Sequence, residues 1–185
     1  MSARHKGRKR ALDILYAADL RRVEILDVLE SESARVAKNP DQLPAFEFGA
    51  TLVRGVMGAR DRIDELISTT STDWPLERMP IVDRSVLRLG VYELLAMPET
   101  PTAVVIAEAG GLASEYSTDD SRGFIQGVLG TIAERVRGAG REGFSEHGSP
   151  ASQAAEASDS APQEESSESG PPGPEDISPD TGRTA

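Results

Sequence analysis

Leu52, Val56, Ala59, Ile63 and Leu66 recur at intervals of 4, 3, 4 and 3, the repeat of one face of an α-helix. That period runs through the first 137 residues and limits the fold more than any other feature. A strand would show apolar side chains at alternate positions, with β-branched and aromatic enrichment. Aromatics make up only 4% of this chain, and no such alternation is sustained. The fold class is therefore all-α. The stripe lies along one helix or along two joined with little break. Gly55 and Gly58 within it each weaken helix propensity by about 1 kcal/mol relative to Ala, which leaves room for a kink or a close helix approach.

The rest of the body reads the same way. A first helix is predicted from about Ser2 to Leu20, with Leu12, Leu15 and Tyr16 near one stripe, and a second from about Glu24 to Ala37. Asn39-Pro40 and Pro44 mark a loop. A polar turn at Ser68–Asp73 leads through Trp74-Pro75 and Met79-Pro80 to a helix from about Pro80 to Leu95, apolar on more than one face and so placed at the centre of the fold. Met97-Pro98-Glu99-Thr100-Pro101 ends it. Thr100 is the expected N-cap of the next helix, with Pro101 at its first position. Asp119 and Asp120 are acidic cap candidates for a last helix through Phe124, Ile125, Val128, Leu129, Ile132 and Val136. About seven helices suit one compact helical domain over residues 1–137.

Beyond that point the composition changes. Residues 138–185 are mostly Gly, Ser, Pro, Glu and Ala, with Phe144 and Ile177 the large apolar exceptions. Such a segment buries too little surface to offset the entropy of ordering it, and is expected to be a disordered acidic tail. It holds ten acids against Arg141 and Arg183, a net charge of −8, whereas residues 1–137 carry only −3 of the total −11. The acidity therefore says little about what the folded part binds. One further expectation is that the tail competes with polyanions for the basic N-terminus; the other is that it is a solvating appendage.

The chain's opening has the opposite sign. Arg4, Lys6, Arg8, Lys9 and Arg10 stand together with no acid among the first ten residues, a pattern suited to polyanions. The arm runs directly into Ala11, Ile14, Leu15 and Ala18, so it reads as the first turns of a helix; an unstructured basic start is the other reading. Catalytic chemistry finds little support. The chain has no cysteine, and both histidines, His5 and His147, fall outside the expected core. Thiolate sites are excluded, and the commonest general base and metal ligand are missing from the core. No cofactor and no enzymatic activity are expected. With no apolar run of membrane length and no signal-peptide core, a cytoplasmic protein without membrane contact is expected.

Three separated motifs carry a family likeness. Arg8-Lys9-Arg10-Ala11-Leu12-Asp13-Ile14-Leu15-Tyr16 opens the body. Asp83-Arg84-Ser85-Val86-Leu87-Arg88-Leu89-Gly90-Val91-Tyr92-Glu93-Leu94 is central, and Tyr116 to Leu129, containing Ser121-Arg122-Gly123-Phe124-Ile125-Gln126-Gly127, closes it. In order and spacing they resemble the NusB family of transcription antitermination proteins from about Arg4 to Val136. Gln126 and Gly130 stand where the family usually has Asn and Asp, Gly123 where a Lys often precedes the aromatic, and Gly110-Gly111 where helix formers are usual.

The resemblance implies two small packed helical bundles, here 1–75 and 76–137. It implies binding of boxA-type single-stranded RNA together with the small-subunit ribosomal protein that acts as NusE, in an RNA polymerase antitermination complex on ribosomal RNA operons. A homodimer is a further partner candidate. RNA contacts would come from Arg4, Lys6, Arg8, Lys9 and Arg10 on phosphates. Tyr16 and Phe124 would be stacking surfaces or core residues in equal measure, Ser121 and Gln126 hydrogen-bonding groups, and Arg122 a phosphate contact or a solvated cation. Glu77 and Asp83 match acidic positions that meet NusE, although Asp83 also suits an ion pair with Arg84 or Arg88, or a helix-dipole role. The alternative is a helical interaction module in ribosomal RNA maturation without direct RNA recognition. A helix-turn-helix reading fails on the acidic start of the last helix.

Overall fold

The computed structural model describes residues 2–138; the expected acidic tail lies, Gly138 apart, outside the described residues. Among them are α1 (Ala3–Arg21), α2 (Ile25–Val36), α3 (Leu43–Gly58), α4 (Arg60–Thr70), α5 (Ile81–Ala96), α6 (Thr102–Tyr116) and α7 (Ser121–Arg137), with single 3-10 turns at Pro40–Gln42 and Leu76–Arg78. No strand occurs among these residues, and none of their helices is long and apolar enough to cross a membrane.

The basic opening is helical from its third residue. The Ser2 hydroxyl caps α1 by accepting from the His5 N–H at 3.1 Å. Arg22 ends the helix in the left-handed region, at φ 56°. The helix packs closely on α3 because both carry glycine at the crossing. A Cβ on Gly7 would lie 2.8 Å from Ala45 O, and one on Gly49 would lie 2.8 Å from Gly7 O. No side chain fits between these backbones.

The 4, 3, 4, 3 stripe spans two helices. Ala59 breaks the run at φ −113°, ψ 15°, yet still donates to Gly55 O and accepts from the Ile63 N–H. Gly55 serves packing: a Cβ there would sit 1.9 Å from the Tyr92 ring, which lies on its backbone. Gly58 faces open space.

The central position expected for α5 is observed. Val86, Leu87, Leu89, Val91 and Leu94 are all buried, and α1, α3, α4, α6 and α7 pack around them. One continuous apolar cluster draws on all seven helices. It crosses the expected division at residue 75, since α4 packs on α5 and α7, and α1 on α5. Gly110 and Gly111 do not interrupt α6.

Two helix ends depart from expectation. Pro101, not Thr100, is the cap of α6, and Thr100 is buried with its hydroxyl unpartnered. Asp120 precedes α7 but makes no side-chain capping bond. The C-terminus of α5 is closed from outside, by Arg137. Its guanidinium donates to Leu94 O (2.9 Å), Glu93 O (2.9 Å), Met97 O (3.1 Å) and Thr100 O (2.7 Å), supplying Leu94 O with the partner a helix end leaves missing and adding a second donor to Glu93 O and Met97 O, which also accept from the Met97 and Thr100 N–H groups. Arg137→Met is expected to cost about 2–3 kcal/mol, in line with charge-assisted hydrogen bonds to buried acceptors. Chain ending at Gly138 should unfold at the same denaturant concentration as the full protein, and chain ending at Val136 at a lower one.

Candidate nucleic-acid interface

The five cations at the start of α1 separate by helical position, from exposed Arg4 and Lys6 to buried Arg8. Arg4 and Lys6 are exposed, with the Arg4 guanidinium 5.7 Å from the centre of the Phe48 ring. Arg10 is bonded to Gln42 and lies 3.8 Å from Glu32. Lys9 reaches across to α6, where Glu115 accepts at 2.9 Å and the Tyr116 ring lies 4.8 Å away. Hydrogen bonds donated to Tyr116 and Glu115 hold the Lys9 ammonium well above its ordinary value, and the bond from Lys9 in turn holds Glu115 below the usual carboxylate range.

Arg8 corrects the expectation of five phosphate contacts. It is 3% exposed and makes two bonds to the Glu93 carboxylate, from Nε at 2.8 Å and from Nη2 at 2.6 Å. Glu108 stands 3.8 Å away and is itself bonded to His5. Arg8 lies four residues after Arg4 but shares its helix face with Gly7, Ala11 and Leu12, all buried. Its role is to join α1 to α5.

At the start of α7 the expected contacts divide in the same way. Arg122 is exposed, Phe124 half-buried, and Gln126 half-buried with its side chain over Gly110, where a Cβ would lie 2.6 Å from Nε2. Ser121 and Asp83 are instead internal, 2% and 0% exposed, and joined to each other: the Ser121 hydroxyl donates to Asp83 Oδ2 at 2.8 Å. Thr118 and Ser117 hydroxyls extend the chain at 2.8 and 3.0 Å. Neither residue is on a surface, so direct RNA contact by Ser121 and partner contact by Asp83 are both corrected.

Nor does Asp83 pair with a neighbouring arginine. Arg84 bonds Asp19 at 2.6 Å, and Arg88 bonds Asp64 at 2.8 and 3.0 Å. Burial pushes Asp64 up, but the hydrogen bonds and charges of Arg88 and then Arg60 outweigh it and hold the carboxyl below its ordinary value. Asp83 Oδ1 is left without a partner. An acid at the third position of a helix ordinarily reaches back to the cap N–H, and here the cap is Pro80, which has none. Glu77 is exposed on its 3-10 turn, and Tyr16 is 37% exposed on α1.

The structure adds residues that sequence reasoning passed over. Trp74, read as loop punctuation before Pro75, packs its ring on Phe124 with centroids 4.9 Å apart and planes at 46°. Tyr116 and Glu115 meet Lys9. The signal for Trp74 was present, since this is the only tryptophan in the chain, but its ring neighbour lies fifty residues away in sequence. Lys9 thus meets the end of α6, next to the turn that leads into Ser121 and Arg122. At the other end of α1, Asp19 meets Arg84, which also donates to Leu76 O at 3.2 Å. The cationic helix and the α6–α7 corner are therefore tied together through named contacts, with exposed cations on both.

The NusB family model matches residues 5–134. The transcription antitermination protein NusB of Streptomyces griseus subsp. griseus is 52% identical over 130 residues, covering 70% of this chain and 90% of that relative. That of Saccharopolyspora erythraea is 52% identical over 134 residues, covering 72% and 88%. Among solved structures, T. maritima NusB is similar at TM-score 0.64 and 33% identity, over 71% of this chain and 90% of that one. A complex of antitermination factors NusB and NusE with dsRNA is similar at TM-score 0.63 and 28% identity, over 73% and 98%.

Proposed function

This chain belongs to the NusB family of transcription antitermination proteins, and on that footing we propose that it binds boxA-type single-stranded RNA together with the ribosomal protein that acts as NusE. In this reading it supports processive transcription of ribosomal RNA operons by RNA polymerase, in the cytoplasm and without catalysis of its own. The observation that carries the RNA part is the exposed cationic face of α1, Arg4 and Lys6, with Lys9 directed to the α6–α7 corner. Cations on a rigid helix meet phosphates without first being ordered, and the counterions they displace favour binding. Glu77 offers an exposed acid for a basic partner. The similar complex of NusB and NusE with dsRNA supports both partners.

With Arg8 internal, Arg4, Lys6, Lys9, Arg10 and Arg122 are the candidate phosphate contacts. The slope of log affinity against log salt is then expected to be no steeper than about −3.5, at about −0.7 per contact. Titration of boxA-type and scrambled RNA, with and without NusE across a salt series, tests this. A protein carrying Arg4→Ala and Lys6→Ala should lose about 1.4 from the slope and keep its affinity for NusE. An unchanged slope would remove α1 from the interface and leave a protein-interaction module.

A further inference from the structure

We infer that Glu115 is a gate on the proposed RNA surface: its carboxylate occupies the Lys9 ammonium in the free protein, and an RNA phosphate takes its place on binding. The inference rests on the RNA-binding reading above and goes beyond it in giving a specificity role to an acid of α6. Two residues of α1, one turn apart, meet two acids of α6 that stand two turns apart. His5 Nδ1 lies 2.7 Å from Glu108 Oε2, and Lys9 Nζ donates to Glu115 Oε1 at 2.9 Å. Residues four and seven apart share a helix face, so both contacts follow from one meeting of faces.

The two contacts differ in their access to solvent. The His5 and Glu108 side chains are 22% and 24% exposed, those of Lys9 and Glu115 39% and 43%. A ligand can therefore reach Lys9 without moving either helix. It finds the ammonium already engaged. The Tyr116 hydroxyl donates to the same Glu115 oxygen at 2.7 Å, and its ring centre lies 4.8 Å from Lys9 Nζ. The carboxylate is thereby fixed where a phosphate oxygen would accept from Lys9, at the distance of a charge-assisted hydrogen bond.

The neighbouring cations decide what can displace it. Lys9 and Arg10 face Glu115 and Glu32, whereas exposed Arg4 and Lys6 pair with no acid among the described residues. A single small anion at Lys9 would exchange one charge for another and make no further contact. An RNA strand places other phosphates on Arg4 and Lys6 and releases condensed counterions as it does so. Exposed ion pairs are weak, so a strand already held at those two cations can take Lys9 from Glu115. The acid thus makes the Lys9 contact conditional on a ligand that carries several phosphates in a row.

Titration of the full-length protein with a boxA-type single-stranded RNA oligonucleotide, across a salt series, tests the inference. Glu115→Gln keeps the side chain's size and removes its charge. It should tighten binding by about 1.5- to 5-fold at low salt, the range for an exposed ion pair. The gain should fade as salt screens that pair in the unmodified chain, so the log–log slope becomes steeper. In a Lys9→Met background the same change should bring no gain, because the carboxylate there withholds nothing. Both side chains reach solvent, which keeps the fold out of the comparison. An equal gain with and without Lys9 would make Glu115 a general repulsive charge and overturns the gate. Weaker binding by Glu115→Gln would make the acid a support that positions Lys9 for RNA, and overturns it as well. Unchanged affinity at every salt, with Arg4→Ala still weakening binding, overturns the gate while the RNA-binding reading survives. No RNA binding by the unmodified chain at any salt overturns both.

Discussion

Arg8→Ala should destabilise the fold by about 3–5 kcal/mol, the cost of leaving one member of a buried ion pair without its partner. Glu93 is 2% exposed, and Arg8 supplies both hydrogen bonds to its carboxylate. Domains have only about 5–15 kcal/mol of stability in total, so the variant should unfold at much lower denaturant. Substituting both residues by apolar ones, Arg8→Met with Glu93→Met, should recover most of the loss, because an apolar pair of similar volume replaces a buried ion pair at little cost. That double variant also separates stability from binding. It should keep the salt dependence of RNA binding unchanged, since Arg8 is not counted among the phosphate contacts. A folded double variant whose slope falls by about 0.7 would return Arg8 to the RNA surface. The matched comparison is Arg4→Ala, expected to change the slope and leave the unfolding midpoint in place.

Gly49→Val should be comparably severe, at about 3 kcal/mol or more. A Cβ at this position would lie 2.8 Å from Gly7 O and 3.5 Å from Ala11 N. Backbone atoms cannot step aside as the end of a side chain can, so α1 would have to move off α3. Overpacking usually costs about 1–3 kcal/mol where side chains absorb it, and here the largest helix contact of α1 has to open. Gly127→Ala is the control. That glycine faces open space within α7, and alanine there should stabilise by up to about 1 kcal/mol through helix propensity. Denaturant unfolding of the two variants checks both signs. A well-folded Gly49→Val protein would show that the close crossing is not required.

The contrast between these glycines marks what could be read from the chain. The period of the apolar stripes gave the helices, and the mixed faces of Ile81–Ala96 gave the centre of the fold, because both follow from which residues must leave water. A glycine's purpose depends on what lies opposite. Gly49 and Gly127 look alike in sequence, and only the packed helices distinguish a crossing point from an exposed position. The same holds for charges. Arg8 stands among Arg4, Lys6, Lys9 and Arg10 with nothing local to mark it, and its acid is 85 residues away. Asp83 and Ser121 were legible as parts of motifs, and their mutual hydrogen bond was not. Trp74 was legible as a loop residue, whereas its pairing with Phe124 comes from tertiary structure alone.

Arg137 has a consequence for how sequence can be appended to this body. The residue that seals the end of α5 is the last residue of the last helix, and Gly138 follows it at φ 72°. Every core contact made among the described residues is therefore in place before the graft point. Fusion of a reporter domain or an affinity handle after Gly138 leaves in place the packing and hydrogen bonds that the seven helices make among the described residues. A junction one turn earlier would detach the seal.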